Sequence, residues 1–176
     1  FNKYNDLLGK NISRLCYGTL TIGPLQRGFD SSYGASLLKK AFDLGINFYD
    51  TAEIYDNYDH IKKFLQMDIN RENVIISTKS YAYDEATAKA SLTKALEEME
   101  TDYIDMFLLH EQESSHTLRG HYEAIEYFLK AKEKGLIRAF GISTHNLEAL
   151  EAVLKVDYID VVHAIVNQKG FGIVDG

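Results

Sequence analysis

Cysteine and proline are almost missing from this chain, which carries one of each in 176 residues. The lone Cys16 excludes an intrachain disulfide and a cysteine-built zinc cluster, and such sparing use of thiols suits a reducing cytoplasm. Positive charge is also short. With 19 Lys and Arg against 26 Asp and Glu the formal net charge is −7, so a nucleic-acid partner, which needs a clustered basic surface, is not expected. No apolar run approaches the roughly 20 residues that cross a bilayer, and no basic-then-apolar leader opens the sequence, so no membrane association is expected. No Ser/Gly/Pro tract supplies a linker, and a single soluble domain over residues 1–176 is expected. The first residue is Phe1, not Met, so it need not correspond to the start of the gene.

What is present is an alternation of apolar runs and amphipathic stripes. Strands are expected at 12–19, 46–50, 74–79, 103–110, 137–143 and 160–167, and their near-continuous Val, Ile, Leu and Phe content points to a parallel sheet covered on both faces. Helical stripes lie between them. Ala88, Leu92, Ala95, Leu96 and Met99 share one face, with Asp84 as the expected N-cap. Leu118, Tyr122, Ile125 and Leu129 form a second stripe, ending in Lys130, Lys132 and Lys134 before a left-handed stop at Gly135. Leu37, Leu38, Ala41 and Phe42 form a stripe closed by Gly45, and Asn146 is the expected cap of Leu147, Leu150 and Leu154. Six β/α units fit either an open doubly wound sheet or part of a (β/α)8 barrel, whose closure takes eight strands and typically about 250 residues.

Polar residues stand where the strands run out: Asp50 after INFY, Lys79 after VIIST and His110 after YIDMFLL, with Tyr55 in the segment that follows Asp50. Active sites of parallel α/β proteins gather at the carboxyl ends of the strands. Each residue alone has an ordinary structural explanation as a cap, a solvated strand end, a satisfied imidazole or a packed ring. Together, an acid, an ammonium, an imidazole and a phenol are groups that tune one another's protonation.

The segments GINFYDTAEIYD (45–56), VIISTKS (74–80), DYIDMFLLHE (102–111) and GLIRAFGIST (135–144) resemble the aldo-keto reductase superfamily. The resemblance implies an α/β fold, the parallel (β/α)8 TIM barrel, of which about six β/α units are present, with the C-terminal part that grips the cofactor phosphates lacking. It implies NADPH-dependent reduction of a small-molecule carbonyl, aldehyde or ketone. Carried over by residue, Tyr55 is the proton donor, Lys79 the cation that lowers its pKa, Asp50 the partner of Lys79, and His110 the group that orients the carbonyl. Gly18, Thr19, Asp50, Ser143, Thr144 and His163 are the expected nicotinamide-side residues. Thr144 stands where asparagine is usual in the family, and His163 where glutamine is usual.

Other patterns carry less. The glycines of GFGIVDG (170–176) and GTLTIG (18–23) lack dinucleotide-fingerprint spacing. His110-Glu111 with His116 and His121 has imidazoles separated by six and five residues, not the four that aligns two of them on a helix, so no metal site is expected. The acidic run Glu97, Glu98, Glu100 and Asp102 reads as a solvated helix end. Two rival readings remain: a non-catalytic relative that binds nucleotide or a protein partner, and a metal-dependent hydrolase on the same barrel.

Overall fold

The structure is a computed structural model that describes residues 3–5, 8–170 and 172, with side chains from residue 8 onward. The glycine-spaced segment at 170–176 therefore lies largely outside the described residues. A two-stranded antiparallel hairpin, β1 (Lys3–Asn5) and β2 (Asn11–Ser13), comes first. Then follow β3 (Cys16–Gly18), α1 (Ser31–Asp43), β4 (Phe48–Asp50), α2 (Tyr58–Leu65), β5 (Ile75–Ser80) and α3 (Glu85–Met99). The remaining elements are β6 (Ile104–Leu109), α4 (Ser115–Gly120), α5 (Tyr122–Glu133), β7 (Ile137–Thr144), α6 (Leu147–Val153) and β8 (Val161–Ala164).

Strands β3 to β8 form one six-stranded sheet in consecutive order. That order settles the choice between the two α/β architectures. A doubly wound sheet reverses direction at a switch point and so places non-consecutive strands side by side, whereas a barrel-type sheet adds each strand next to the last. All residues of β5 and β6 are buried, which is why these segments read as unbroken apolar runs.

The chain divides into two compact units, Phe1–Thr78 with Leu92–Asp105, and Lys79–Ser91 with Met106–Gly176. In the first, α1 packs on α2, and the core is built on Tyr49, Phe64, Leu38 and Ile61. The Tyr49 ring lies 4.8 Å from that of Phe64, and its buried hydroxyl donates to the carbonyls of Leu38 and Ile46. Asp105, fully buried, is met by Arg71 Nη2 at 2.8 Å, by Lys10 Nζ at 3.3 Å and by the backbone N–H of Ile76 at 3.0 Å. In the second unit Phe128 stacks between Phe107 and Phe140, at 4.5 and 5.5 Å.

Several expectations change. The run at 12–19 is two strands, because Ser13 turns at Arg14–Leu15, its hydroxyl donating to the Leu15 carbonyl, and residues 11–13 pair with the hairpin partner instead of the main sheet. The stripe at 118–129 belongs to two helices that meet at His121. Its Tyr122 is exposed, and Ala124, Ile125, Phe128 and Ala131 form the buried face of α5. Asn146 occupies the N-cap position of α6, but its side chain makes no capping bond, and Leu147 and Leu154 are exposed while Ala149 and Ala152 are buried. By contrast Asp84 caps α3 as expected, accepting from Thr87 N at 2.8 Å. Gly45 and Gly135 adopt the left-handed conformations, φ 91 and 75, that end α1 and α5.

Candidate active site

In the first unit the strand register brings Gly18 and Ser77 alongside Asp50. Asp50 is the last residue of β4 and is buried; its carbonyl accepts from Thr19 N at 2.9 Å, so Gly18, Thr19 and Asp50 are neighbours. The chain then enters a tight loop held at both ends. Thr51 N donates to the Ser77 carbonyl at 2.9 Å, and Thr51 Oγ1 donates to Asn57 Oδ1 at 2.8 Å. Asn57, fully buried, spends its amide N–H groups on the Thr19 carbonyl at 2.9 Å and Thr19 Oγ1 at 3.1 Å. Between these pins Glu53–Tyr55 form a single 3-10 turn, and Asp56 at φ 49 redirects the chain into α2. Tyr55 is thus a half-buried phenol on a braced turn, five residues past Asp50.

Residues 20–31 are organised by their own backbone bonds, among them Gly28 N to Gly23 O at 2.8 Å. Their far end is clasped by His60, whose Nε2 lies 3.0 Å from the Phe29 carbonyl while its Nδ1 lies 2.8 Å from Asp59 Oδ1. Tyr58 shares a 2.8 Å hydrogen bond with Thr78 Oγ1. Burial pushes its phenol well above the ordinary tyrosine range, so it stays a neutral hydroxyl.

In the second unit Lys79 lies on β5 and is buried, and His110 directly follows β6, its backbone N–H donating to the Ser80 carbonyl at 2.8 Å. The ring of Tyr81 stacks on the His110 imidazole, centroids 4.5 Å apart at 21°. The next residues hang from the end of β7: Ser143 Oγ accepts from Glu111 N at 2.9 Å, and the Ser143 carbonyl accepts from Gln112 N at 2.8 Å. Thr144 Oγ1 donates to the Gln112 carbonyl at 2.6 Å and accepts from Asn146 N at 2.9 Å, so this hydroxyl braces the loop. His163 is opposite Ser143 in the β7–β8 register and is exposed. His121, its imidazole pulled below the ordinary value by burial, lies 3.1 Å from Gln112 Oε1, and Arg119 donates to His116 Nδ1 at 2.7 Å.

The sequence pattern does not mark Asn57, Gln112 or Tyr81, and it shows Glu111 only as a neighbour of His110. Asn57 and Gln112 are polar residues buried in loops, and their long-range partners alone reveal them.

Among the described residues no helix is long and apolar enough to cross a membrane. The sequence pattern of the Aldo/keto reductase family matches residues 14–172. The uncharacterized oxidoreductase YqkF of Bacillus subtilis (strain 168) is 30% identical over 150 residues, covering 76% of this chain and 47% of YqkF. The methylglyoxal reductase DkgA of Escherichia coli O157:H7 is 27% identical over 118 residues, covering 66% of this chain and 42% of DkgA. The chain thus spans about half the length of the curated relatives it matches. Among solved structures, the aldo-keto reductase AKR2E5 complexed with NADPH superposes with a TM-score of 0.73 at 25% identity, over 95% of this chain and 54% of that one. The six-stranded parallel sheet is accordingly that of the (β/α)8-barrel reductases, and the chain belongs to the aldo/keto reductase family.

Proposed function

We propose that this protein reduces a small aldehyde or ketone to the alcohol with NADPH as the hydride source, in the cytoplasm, residues 1–176 acting as one barrel-type domain. The observation that carries this reading is the set of buried ionisable side chains closing successive parallel strands: Asp50 on β4, Lys79 on β5 and His110 just past β6. A strand end sealed only for stability favours apolar side chains, because burying a charge is costly unless it is used or paired. Family membership and the names of its relatives, an oxidoreductase and a methylglyoxal reductase, support the same chemistry.

When bound, NADPH supplies a hydride to the carbonyl carbon. Tyr55 gives its phenolic proton to the carbonyl oxygen as negative charge grows there, so that carbonyl, NADPH and one proton become alcohol and NADP+. Lys79 favours the tyrosinate form and brings a phenol whose unperturbed pKa is about 10 closer to working pH. Asp50 is the partner of Lys79 in this reading, and His110 orients the carbonyl. Each unit by itself offers a feature suited to a flat ring bearing a carboxamide. The Ser143 hydroxyl already accepts one hydrogen bond and retains its own proton to donate, and a Cβ built on Gly18 meets nothing within 4 Å, leaving room for a planar group. Ser143, His163, Gly18, Thr19 and Asp50 would hold that ring, while Thr144 acts by shaping the Gln112 loop that Ser143 also holds.

The test is NADPH oxidation by the full natural chain with methylglyoxal or another small aldehyde. Tyr55→Phe is expected to lower turnover by on the order of a hundredfold or more, the contribution of a positioned proton donor. Undiminished turnover in that variant overturns the assignment. Absence of any carbonyl reduction, with retained nucleotide binding, selects the non-catalytic alternative.

A further inference from the structure

Glu111 is the first residue past His110, and three constraints fix it there. Its backbone is left-handed, φ 51, a conformation that a non-glycine residue holds only where its surroundings impose it. Its N–H is tied to Ser143 Oγ at 2.9 Å. Its carboxylate accepts the hydroxyl proton of Tyr81, the residue whose ring lies on the His110 imidazole. The side chain is half in solvent, and besides the Tyr81 phenol it is faced by His145, with Nε2 3.7 Å from Glu111 Oε1 and positive only when protonated. Glu113, exposed two residues on, adds a second negative charge to the same loop.

The backbone of this loop is held by Ser143 and Thr144, so its position does not require a carboxylate at residue 111. A glutamine preserves shape and the acceptor for Tyr81. What the carboxylate adds is charge, delivered one aromatic ring away from His110.

We infer that Glu111 is a specificity-determining residue that disfavours carbonyl substrates carrying their own carboxylate or phosphate and favours neutral or cationic ones. This rests on the reading of His110 as the carbonyl-orienting group. A substrate whose carbonyl lies at His110 and whose anionic tail runs past Tyr81 brings a second negative charge toward Glu111, and for a separation of about 8 Å the repulsion weakens binding by about twofold in a water-like medium and about thirtyfold at a protein-like dielectric. Since that separation is close to the Debye length of about 10 Å at 0.1 M salt, the discrimination shrinks as ionic strength rises.

The experiment compares para-carboxybenzaldehyde with para-nitrobenzaldehyde, two rings of similar size, the first anionic and the second neutral, on the full natural chain and its Glu111→Gln variant. The ratio of kcat/KM for the anionic over the neutral aldehyde is expected to rise about fivefold in the variant, mainly through KM, and Glu111→Asp is expected to restore the original ratio. A loop that was merely loosened would change both aldehydes alike, so an unchanged ratio overturns the inference. If neither aldehyde is reduced, carbonyl reduction itself fails, and equilibrium binding of the same two aldehydes, followed by the His110 imidazole NMR signals, decides the charge filter separately. Tighter binding of the neutral ring, with a gap that closes in Glu111→Gln and in high salt, upholds it, and equal binding of the two rings overturns it.

Discussion

Gly141 is the position where the smallest change has the clearest mechanical consequence. A Cβ built there lies 2.0 Å from the Val161 carbonyl oxygen, 2.8 Å from its carbon and 2.9 Å from Leu108 Cδ2. Gly141 and Val161 are opposite each other in the β7–β8 register, so the obstruction is backbone and has no rotamer by which to escape. In Gly141→Ala, β8 must retreat by more than about 1 Å to restore ordinary contact, and ladder bonds that work at about 2.7 to 3.2 Å are broken by such a shift. Overpacking typically costs about 1–3 kcal/mol and each lost ladder bond about 1 kcal/mol, which together come to about 3 kcal/mol. With a urea m-value of about 2 kcal/mol/M, the unfolding midpoint should fall by about 1.5 M. Hydrogen exchange should show the amides of Val161–Ala164 losing protection before those of β5 and β6. Gly120→Ala is the control: nothing lies within 4 Å of its added Cβ at the end of α4, and the expected change is neutral to a gain of about 0.5 kcal/mol. A midpoint for Gly141→Ala within about 0.3 M of the parent, with β8 exchange unaltered, would refute the reasoning.

Two further tests probe the first unit. Gly34→Ala sets a Cβ 2.1 Å from His60 Cδ2, and because the imidazole is held at both nitrogens it cannot swing aside. A loss of about 2 kcal/mol in denaturant unfolding is expected, with increased proteolysis within residues 20–31, and intact stability would show the ring to be movable. The ammonium of Lys10 is pulled down most by burial, but Asp105 and hydrogen bonds with Tyr103 and Glu72 push it up by more, so its pKa in the folded protein lies above the ordinary value. Stability from this group is therefore fully present below about pH 10.4 and is lost as pH rises through the folded-state value. Lys10→Met should flatten the alkaline limb of a stability-versus-pH curve, and an identical limb in the variant would exclude Lys10 as its source.

What is legible in the sequence, and what is hidden, divides by the range of the interactions involved. Strands β5, β6 and β7 are readable because burial on both faces demands unbroken apolar residues, and the ends of α1 and α5 because Gly45 and Gly135 supply a left-handed residue locally. The hairpin is not. Its outer strand, Lys3–Asn5, has no apolar signature, so residues 12 and 13 read as the start of the next strand. Helices α5 and α6 are visible as elements, but their inward faces are not, because alanine carries part of each. Ala124 and Ala131, like Ala149 and Ala152, are fully or nearly buried, and a search for large apolar spacing passes over them. The site follows the same division: Asp50, Lys79 and His110 mark strand ends in the sequence, whereas the residues that brace the loops act across 38 and 32 positions.

Those braces share one design. In the first unit Asn57, buried in the loop after β4, ties that loop to Thr19 at the exit of β3. In the second Gln112, buried in the loop after β6, is tied to Ser143 and Thr144 at the exit of β7. Each amide is hydrogen-bonded at both ends: Asn57 bonds through its nitrogen and its oxygen, and Gln112 through its side-chain nitrogen and oxygen as well as its backbone. A buried amide bonded in this way contributes little net stability, but leaving its partners unsatisfied costs about 1–3 kcal/mol for each group. Such a pin therefore acts less as a source of stability than as a penalty on every other loop position. Apolar packing would tolerate a shift of a few tenths of an ångström, whereas directional bonds at 2.6 to 3.1 Å do not. This places Tyr55 on one pinned turn and His110 with Glu111 on another, and lets the exposed residues between the pins vary without moving the groups on which the proposed chemistry depends.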